Sequence, residues 1–156
     1  MTVSIIDADF SLAEHASGLI AVLNEYAQLP VITGKPLDEG LQKRLPGLLA
    51  ETPGAHVLLA VNEEKIAGVA VCFLGFSTFA GKPLLNVHDL AVSGEFRGQG
   101  IGGALLDGVA AKARSLGCCR VTLEVDDENE GARRLYERKG FKVSQHFMRK
   151  ELEPKS

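Results

Sequence analysis

No segment of this 156-residue chain approaches the ~20 consecutive apolar residues that a membrane-crossing helix needs. The start, Met1-Thr2-Val3-Ser4, has neither a basic segment nor a signal-like apolar core, so a cytoplasmic protein without a membrane partner is expected. Cysteine is scarce. Cys72 and the adjacent Cys118 and Cys119 form no metal spacing and cannot complete a disulfide framework, which leaves reduced core thiols. His15, His56, His88 and His146 are scattered without ligand pairing, so no metal site is expected. A strong charge of either sign is missing too: the formal net charge of −3 gives no reason to expect nucleic acid or an anionic membrane as partner. What remains, 46% hydrophobic and 24% charged residues, is globular composition. A chain of this length buries roughly two-thirds of its unfolded surface without disulfides or metals, so residues 1–156 read as one domain.

The informative stretch runs from Leu84 to Leu116. It opens with an apolar strand-like run, L-L-N-V-H-D-L-A-V, breaks at the turn signal Ser93-Gly94-Glu95, and reaches G-Q-G-I-G-G after Arg97. Beyond it Ile101, Leu105, Val109, Ala113 and Leu116 recur at helical spacing. The glycines therefore sit on the first turn of a helix that follows a central strand. The first four N–H groups of a helix have no intrahelical partner, and the aligned peptide dipoles put partial positive charge there. Gly98, Gly100, Gly102 and Gly103 carry no Cβ, so an anion can approach the backbone, and Arg97 adds a forked cation. A pyrophosphate-bearing ligand is expected.

Two ligand classes compete for that loop. G-Q-G-I-G-G satisfies G-x-G-x-x-G, and Glu124 stands ~20 residues on, where a ribose-binding acid would lie, so a nicotinamide dinucleotide protein is one reading. Against it, Ser93 to Arg97 separate the strand from Gly98, whereas that fingerprint opens directly after its strand. Too few residues follow Val125 to complete a doubly wound sheet. R-G-Q-G-I-G, Arg97 to Gly102, resembles instead the R/Q-x-x-G-x-G/A acetyl-CoA loop of the GNAT superfamily of N-acetyltransferases. N-E-G-A-R-R-L-Y-E-R-K-G-F, Asn129 to Phe141, is similar to that family's N-x-x-A-x-x-x-Y-x-x-x-G-F segment. The resemblance covers residues 84 to 142 by motif and the N-terminal third by its pattern of elements.

That resemblance implies a mixed α/β fold, a central mixed, mostly antiparallel twisted sheet of about six to seven strands flanked by about four helices. It implies acetyl-CoA as co-substrate, held by Arg97, Gly98, Gln99, Gly100, Ile101, Gly102, Gly103, Asn129 and Tyr136, and by the backbone of Leu90, Ala91 and Val92. In the family the central strand splays from the next one, commonly at a bulge, which frees those N–H groups for the pantetheine arm and the acetyl carbonyl. The implied acceptor is a primary amine on a small molecule or peptide, attacking directly in a ternary complex. Relatives often dimerise, so a homodimer is compatible. A CoA-binding or sensing module without catalysis is the alternative.

In chain order, Val3 to Ile6 reads as a strand, and Asp9 or Ser11 caps a helix with Leu12, His15, Leu19, Val22, Leu23 and Tyr26 along one face. It ends near Leu29-Pro30, and a loop broken by Pro36 leads to a second helix over Asp38 to Ala50. By resemblance this region walls the acceptor groove, lined by Tyr26, Val31, Ile32 and Lys35; packing of Val31 and Ile32 under the loop is the alternative. His56 to Val61 and Ile66 to Phe73 form a hairpin around N-E-E-K, both strands apolar as strands buried on two faces should be. Cys119 to Val125 is the next strand, Gly140 ends the helix after it, and Phe141 to Leu152 is the final strand before a charged, frayed tail.

In the central strand, a period of two puts Asn86, His88, Leu90 and Val92 on one face and Val87, Asp89 and Ala91 on the other. Burying His88 or Asp89 unpartnered would cost about 1–3 kcal/mol, so each is either satisfied in the core or faces a wet cleft. In the second case His88 is the preferred base for the amine, since an unperturbed imidazole titrates at ~6.5, and Asp89 orients water or the acceptor's charge. Tyr136, a phenol with an ordinary pKa of ~10, donates to the departing thiolate of CoA.

Overall fold

The computed structural model describes residues 2–153. Apolar runs and turn chemistry lay the sheet down in chain order. Strands β1 (Val3–Asp7), β2 (Ala55–Asn62), β3 (Lys65–Ser77) and β4 (Lys82–Val92) pair antiparallel with their neighbours, and β5 (Val121–Leu123) adds to β4 in parallel. Between β2 and β3, Glu63 and Glu64 both take positive φ (50° and 69°), the backbone of a two-residue turn whose twist matches the strands. Because β2 and β3 are covered on both faces, their runs are apolar without alternation.

Among the described residues three helices do the covering, and a fourth packs outside them. Helices α1 (Ala13–Ala27) and α2 (Glu39–Glu51) bury Leu19, Val22, Leu23 and Leu49 against Leu59, Val69 and Val71. On the opposite face α3 (Ile101–Ser115) buries Ile101, Leu105, Val109 and Ala113 against Leu58, Ala70, Leu85 and Val87. Helix α4 (Glu130–Arg138) lies on α3: a Cβ on Gly102 would meet Leu135 at 2.9 Å, and Lys139 Nζ reaches Asp107 at 3.0 Å. Among the described residues no helix is long and apolar enough to cross a membrane, and no group of three His, Cys, Asp or Glu could hold a metal ion.

Several expectations change. The sheet has five strands among the described residues, three antiparallel pairings and one parallel, not six to seven strands. Strand β5 is shorter than Cys119 to Val125, because Cys119 and Arg120 make only isolated bonds to Pro83 and Leu85 before the ladder starts. Phe141 to Leu152 contains no strand; three-residue β5 is too short an edge to template it, and Val143, Phe147, Met148 and Leu152 stay exposed. The charged tail at 154–156 lies outside the described residues. Leu12, not Asp9 or Ser11, precedes α1; Asp9 instead accepts from the Ser11 N–H (3.0 Å) and hydroxyl. Cys72 is buried, but Cys119 is exposed and is no core thiol.

Gly68 marks where strand and helix close most tightly: a Cβ there would lie 2.9 Å from the Ala91 carbonyl and 3.0 Å from both Ile101 and Leu105. Gly68→Ala should therefore destabilise the fold by about 1–3 kcal/mol. A lowered urea midpoint with an unchanged m value would bear this out, and a wild-type midpoint would show that the sheet yields at no cost.

Candidate active site

Strand β4 carries one residue too many for its partner. Val71 pairs with Asp89 while the next residue, Cys72, pairs with Val87, so His88 is the extra residue of a β-bulge. The alternation of faces inverts across it. Leu85 and Val87 before the bulge, and Leu90 and Val92 after it, all pack toward α3. Ala91 packs toward α1, and His88 stacks edge-on against Phe73 of that same layer, with ring centroids 5.6 Å apart. The regular alternation expected from the sequence, with His88 and Asp89 on opposite faces, is thus wrong. The bulge turns both toward α1.

Beyond the bulge the sheet opens. Strand β5 pairs with β4 only at Leu85, Asn86 and Val87, so past Val87 alternate N–H groups of β4 on that side have no strand partner. Leu90, Ala91 and Val92 border this gap. Tyr26 on α1 and Tyr136 on α4 approach it from the two faces of the sheet, and burial and neighbouring charge perturb both. Burial first, then Tyr26, pushes the Tyr136 phenol up to about 12. Burial first, then Asp89, raises Tyr26. Burial also raises the Asp89 carboxyl, and His88 beside it partly opposes that shift. Tyr136 therefore stays a proton-bearing donor at neutral pH. Tyr26, His88, Asp89 and Tyr136 form one electrostatic neighbourhood around the gap.

At its other end lies the glycine loop. Gly98 and Gly100 take left-handed φ (77° and 80°), and a Cβ on either would meet nothing within 4 Å. The first bond of α3 runs from the Ala104 N–H to the Gly100 carbonyl (3.0 Å), so the N–H groups before it are intrahelical orphans. No acidic residue stands in that first turn. Open space, free donors and the dipole's positive end fit a pyrophosphate. Gly102 and Gly103 have another job. They admit Leu135 and Lys139 of α4, so their missing Cβ atoms serve helix packing.

The remaining expected residues divide. Arg97 points its guanidinium at Glu25 (3.8 Å) and is half exposed. Glu25 is the residue sequence reasoning missed: it also accepts from the Gly94 N–H (2.6 Å) and lies 3.4 Å from the Ser93 hydroxyl, fixing the turn that leads into the loop. Nothing local signals this, since Glu25 stands on α1, 69 residues from Gly94. Asn129 caps α4 by accepting from the Ala132 N–H (3.3 Å), which leaves its side-chain N–H₂ free. Val31 is exposed, Ile32 half-buried and Lys35 exposed, on a loop whose hydrogen bonds return to α1 through Thr33 and Ala27 and through Asn24 and Leu37. None of those bonds reaches β4. Of the expected acceptor wall, Tyr26 alone is tied to the gap.

A model of the acetyltransferase (GNAT) family matches residues 20–141. The chain is 29% identical over 126 residues to a thialysine N-epsilon-acetyltransferase of Caenorhabditis elegans, covering 80% of this chain and 75% of that one; it spans 57% of the bovine counterpart. It is 31% identical over 150 residues to the uncharacterized N-acetyltransferase YycN of Bacillus subtilis, covering 89% of this chain and 93% of that one. A solved structure titled as a transcriptional regulator from Bacillus halodurans shares the fold, with a TM-score of 0.82 at 22% identity over 97% of this chain and 100% of that one.

Burial gives the site a measurable pH signature. A carboxyl raised above its ordinary 3.8 contributes stability that is fully present below that value and is lost as pH rises through the folded-state value. Asp89→Asn removes this loss. The Tm of the variant minus that of the wild type should therefore grow from about pH 3.5 to about pH 7; a flat difference would mean that folding does not perturb Asp89.

Proposed function

Because the chain belongs to the acetyltransferase (GNAT) family, we propose that residues 1–156 form one catalytic domain that moves an acetyl group from acetyl-CoA to a primary amine. The opening between β4 and β5 carries this reading, since its two ends offer the two things the reaction needs. At one end, the first-turn N–H groups of α3 and the open, left-handed backbone at Gly98 and Gly100 suit a pyrophosphate, with Gln99 and Ile101 between and beside them. Arg97 would exchange Glu25 for that anion. At the other end, His88 and Asp89 share a face with Tyr26, while Tyr136 approaches from α4.

Bound acetyl-CoA supplies an activated thioester. The chain supplies position and proton handling. The unpaired edge at Leu90, Ala91 and Val92 offers N–H donors to the pantetheine arm and to the thioester carbonyl, where negative charge develops as the amine adds. No nucleophilic side chain is required, because holding both reactants in one gap converts a bimolecular encounter into a local one. His88 accepts the amine's proton, and Asp89 lies beside it on the same face. Tyr136 faces the leaving sulfur. Its phenol, pushed up to about 12, is a weaker acid than an ordinary thiol at ~8.5, so complete proton transfer to the thiolate would run uphill. Tyr136 therefore stabilises the departing thiolate as a hydrogen-bond donor, and solvent completes protonation.

Saturating acetyl-CoA and CoA should each raise Tm by roughly 5–10 °C, the effect of ~2.7 kcal/mol at a hundredfold excess over Kd on a domain of this size, with no shift from NADH. A shift with NADH alone would overturn the reading. Losing a hydrogen bond to a charged group costs about 1.5–3 kcal/mol, so Tyr136→Phe should cut kcat roughly 10- to 100-fold while retaining the acetyl-CoA shift. Unchanged turnover would remove Tyr136 from the chemistry.

A further inference from the structure

Glu124 stands where a dinucleotide site would want its acid, and the acetyl-transfer reading leaves it without a role. Its surroundings supply one. Asn86 pairs with Thr122 in the parallel β4–β5 register, and its side-chain N–H₂ donates to the Thr122 hydroxyl (3.0 Å) and to Glu124 Oε2 (3.3 Å). Across the other ladder Asn86 pairs with Phe73, the ring against which His88 lies edge-on at 5.6 Å. Leu85 and Val87 pack toward α3, so Asn86 between them faces α1, as do His88 and Asp89 after the bulge. Glu124 stands one residue past the end of β5, and the Asn86 amide that reaches Thr122 holds it on that same side. Glu124 thus enters the gap on the same side as the proposed base. It is exposed, and among the described residues no Lys, Arg or His forms an ion pair with it.

A free surface glutamate moves among many rotamers, and ordering it against a ligand costs side-chain entropy. The Asn86 bond restrains this one in advance. It does so at the point where β4 and β5 part, two residues from His88 and three from Asp89, roughly 7–10 Å along the strand. An amine presented to His88 would have its opposite end near a restrained, cation-free carboxylate. We propose that Glu124 reads a second positive charge on the acceptor, making the preferred acceptor a linear diamine or a similarly dicationic amine. This rests on the acetyl-transfer reading and adds specificity to it.

The probes are cadaverine and n-hexylamine, which have chains of equal length and differ in whether the far end is an ammonium or a methyl group. With acetyl-CoA and thiol release as readout, the wild type should favour cadaverine in kcat/KM. Glu124→Gln should lower the ratio of the two kcat/KM values by about five- to tenfold, the worth of one restrained charged contact, and Glu124→Lys should invert it toward 6-aminohexanoate. An unchanged ratio in both variants, including an equal fall for both amines, would overturn the proposal and leave Glu124 with a structural or general catalytic role. Thiol release from no amine by the wild type would overturn the acetyl-transfer reading itself, a failure separable from the first because it appears before any substitution is made.

Discussion

The one extra residue in β4 is the constraint on which the site depends. In a regular strand Val87, Asp89 and Ala91 would share a face. With Val87 seated in the α3 core, that regularity would drive the Asp89 carboxylate in beside it, at the several kcal/mol that an unpaired buried charge costs. Slipping the register the other way would expel Leu85 and Val87. Inserting His88 as a bulge resolves the conflict, because Leu85, Val87, Leu90 and Val92 can then all serve one core while the two polar residues turn to the other side. The hydrophobic pattern therefore selects the bulge, and the chemistry inherits its geometry.

The same opening sets the electrostatics. Where β5 leaves β4 after Leu123, the sheet no longer separates its two faces, and Tyr26 acts on Tyr136 through the gap. The surroundings are apolar enough to raise Tyr136, Tyr26 and Asp89 together. Each neutral form is favoured, and the Tyr136 phenol keeps its proton at neutral pH. Glu124, by contrast, is exposed at the rim of the opening, where β5 ends.

Much of this was legible in the chain. The hairpin around N-E-E-K, the helical periodicity after the glycines and the pairing of Arg97 to Gly102 with Asn129 to Phe141 were sufficient for the fold class and the family, because each is a local pattern with a local cause. What was not legible is non-local. The bulge depends on which partner Val71 and Cys72 take in β3, and alternation read along β4 alone gives the wrong face for His88. Glu25 acts on a turn far along the chain. The length of β5 depends on where β4 stops offering partners. Phe141 to Leu152 has strand-like composition, but composition does not supply an edge to pair with.

The glycine motif shows why a short pattern underdetermines its ligand. Its four glycines obey two different physical demands. Gly98 and Gly100 are needed for left-handed backbone in open space, a requirement set by the loop's path and by whatever anion it admits. Gly102 and Gly103 are needed because Leu135 and Lys139 lie against them, a requirement set by α4. A dinucleotide fingerprint also combines a turn glycine, an approach glycine and a packing glycine, so the letters coincide although the packing partner differs: α4 here, the adjacent strand there. What the packing glycines touch is therefore what distinguishes the two patterns. With α4 docked against them, Asn129 and Tyr136 are carried to the mouth of the gap. A loop whose glycines instead closed onto a strand would deliver neither residue.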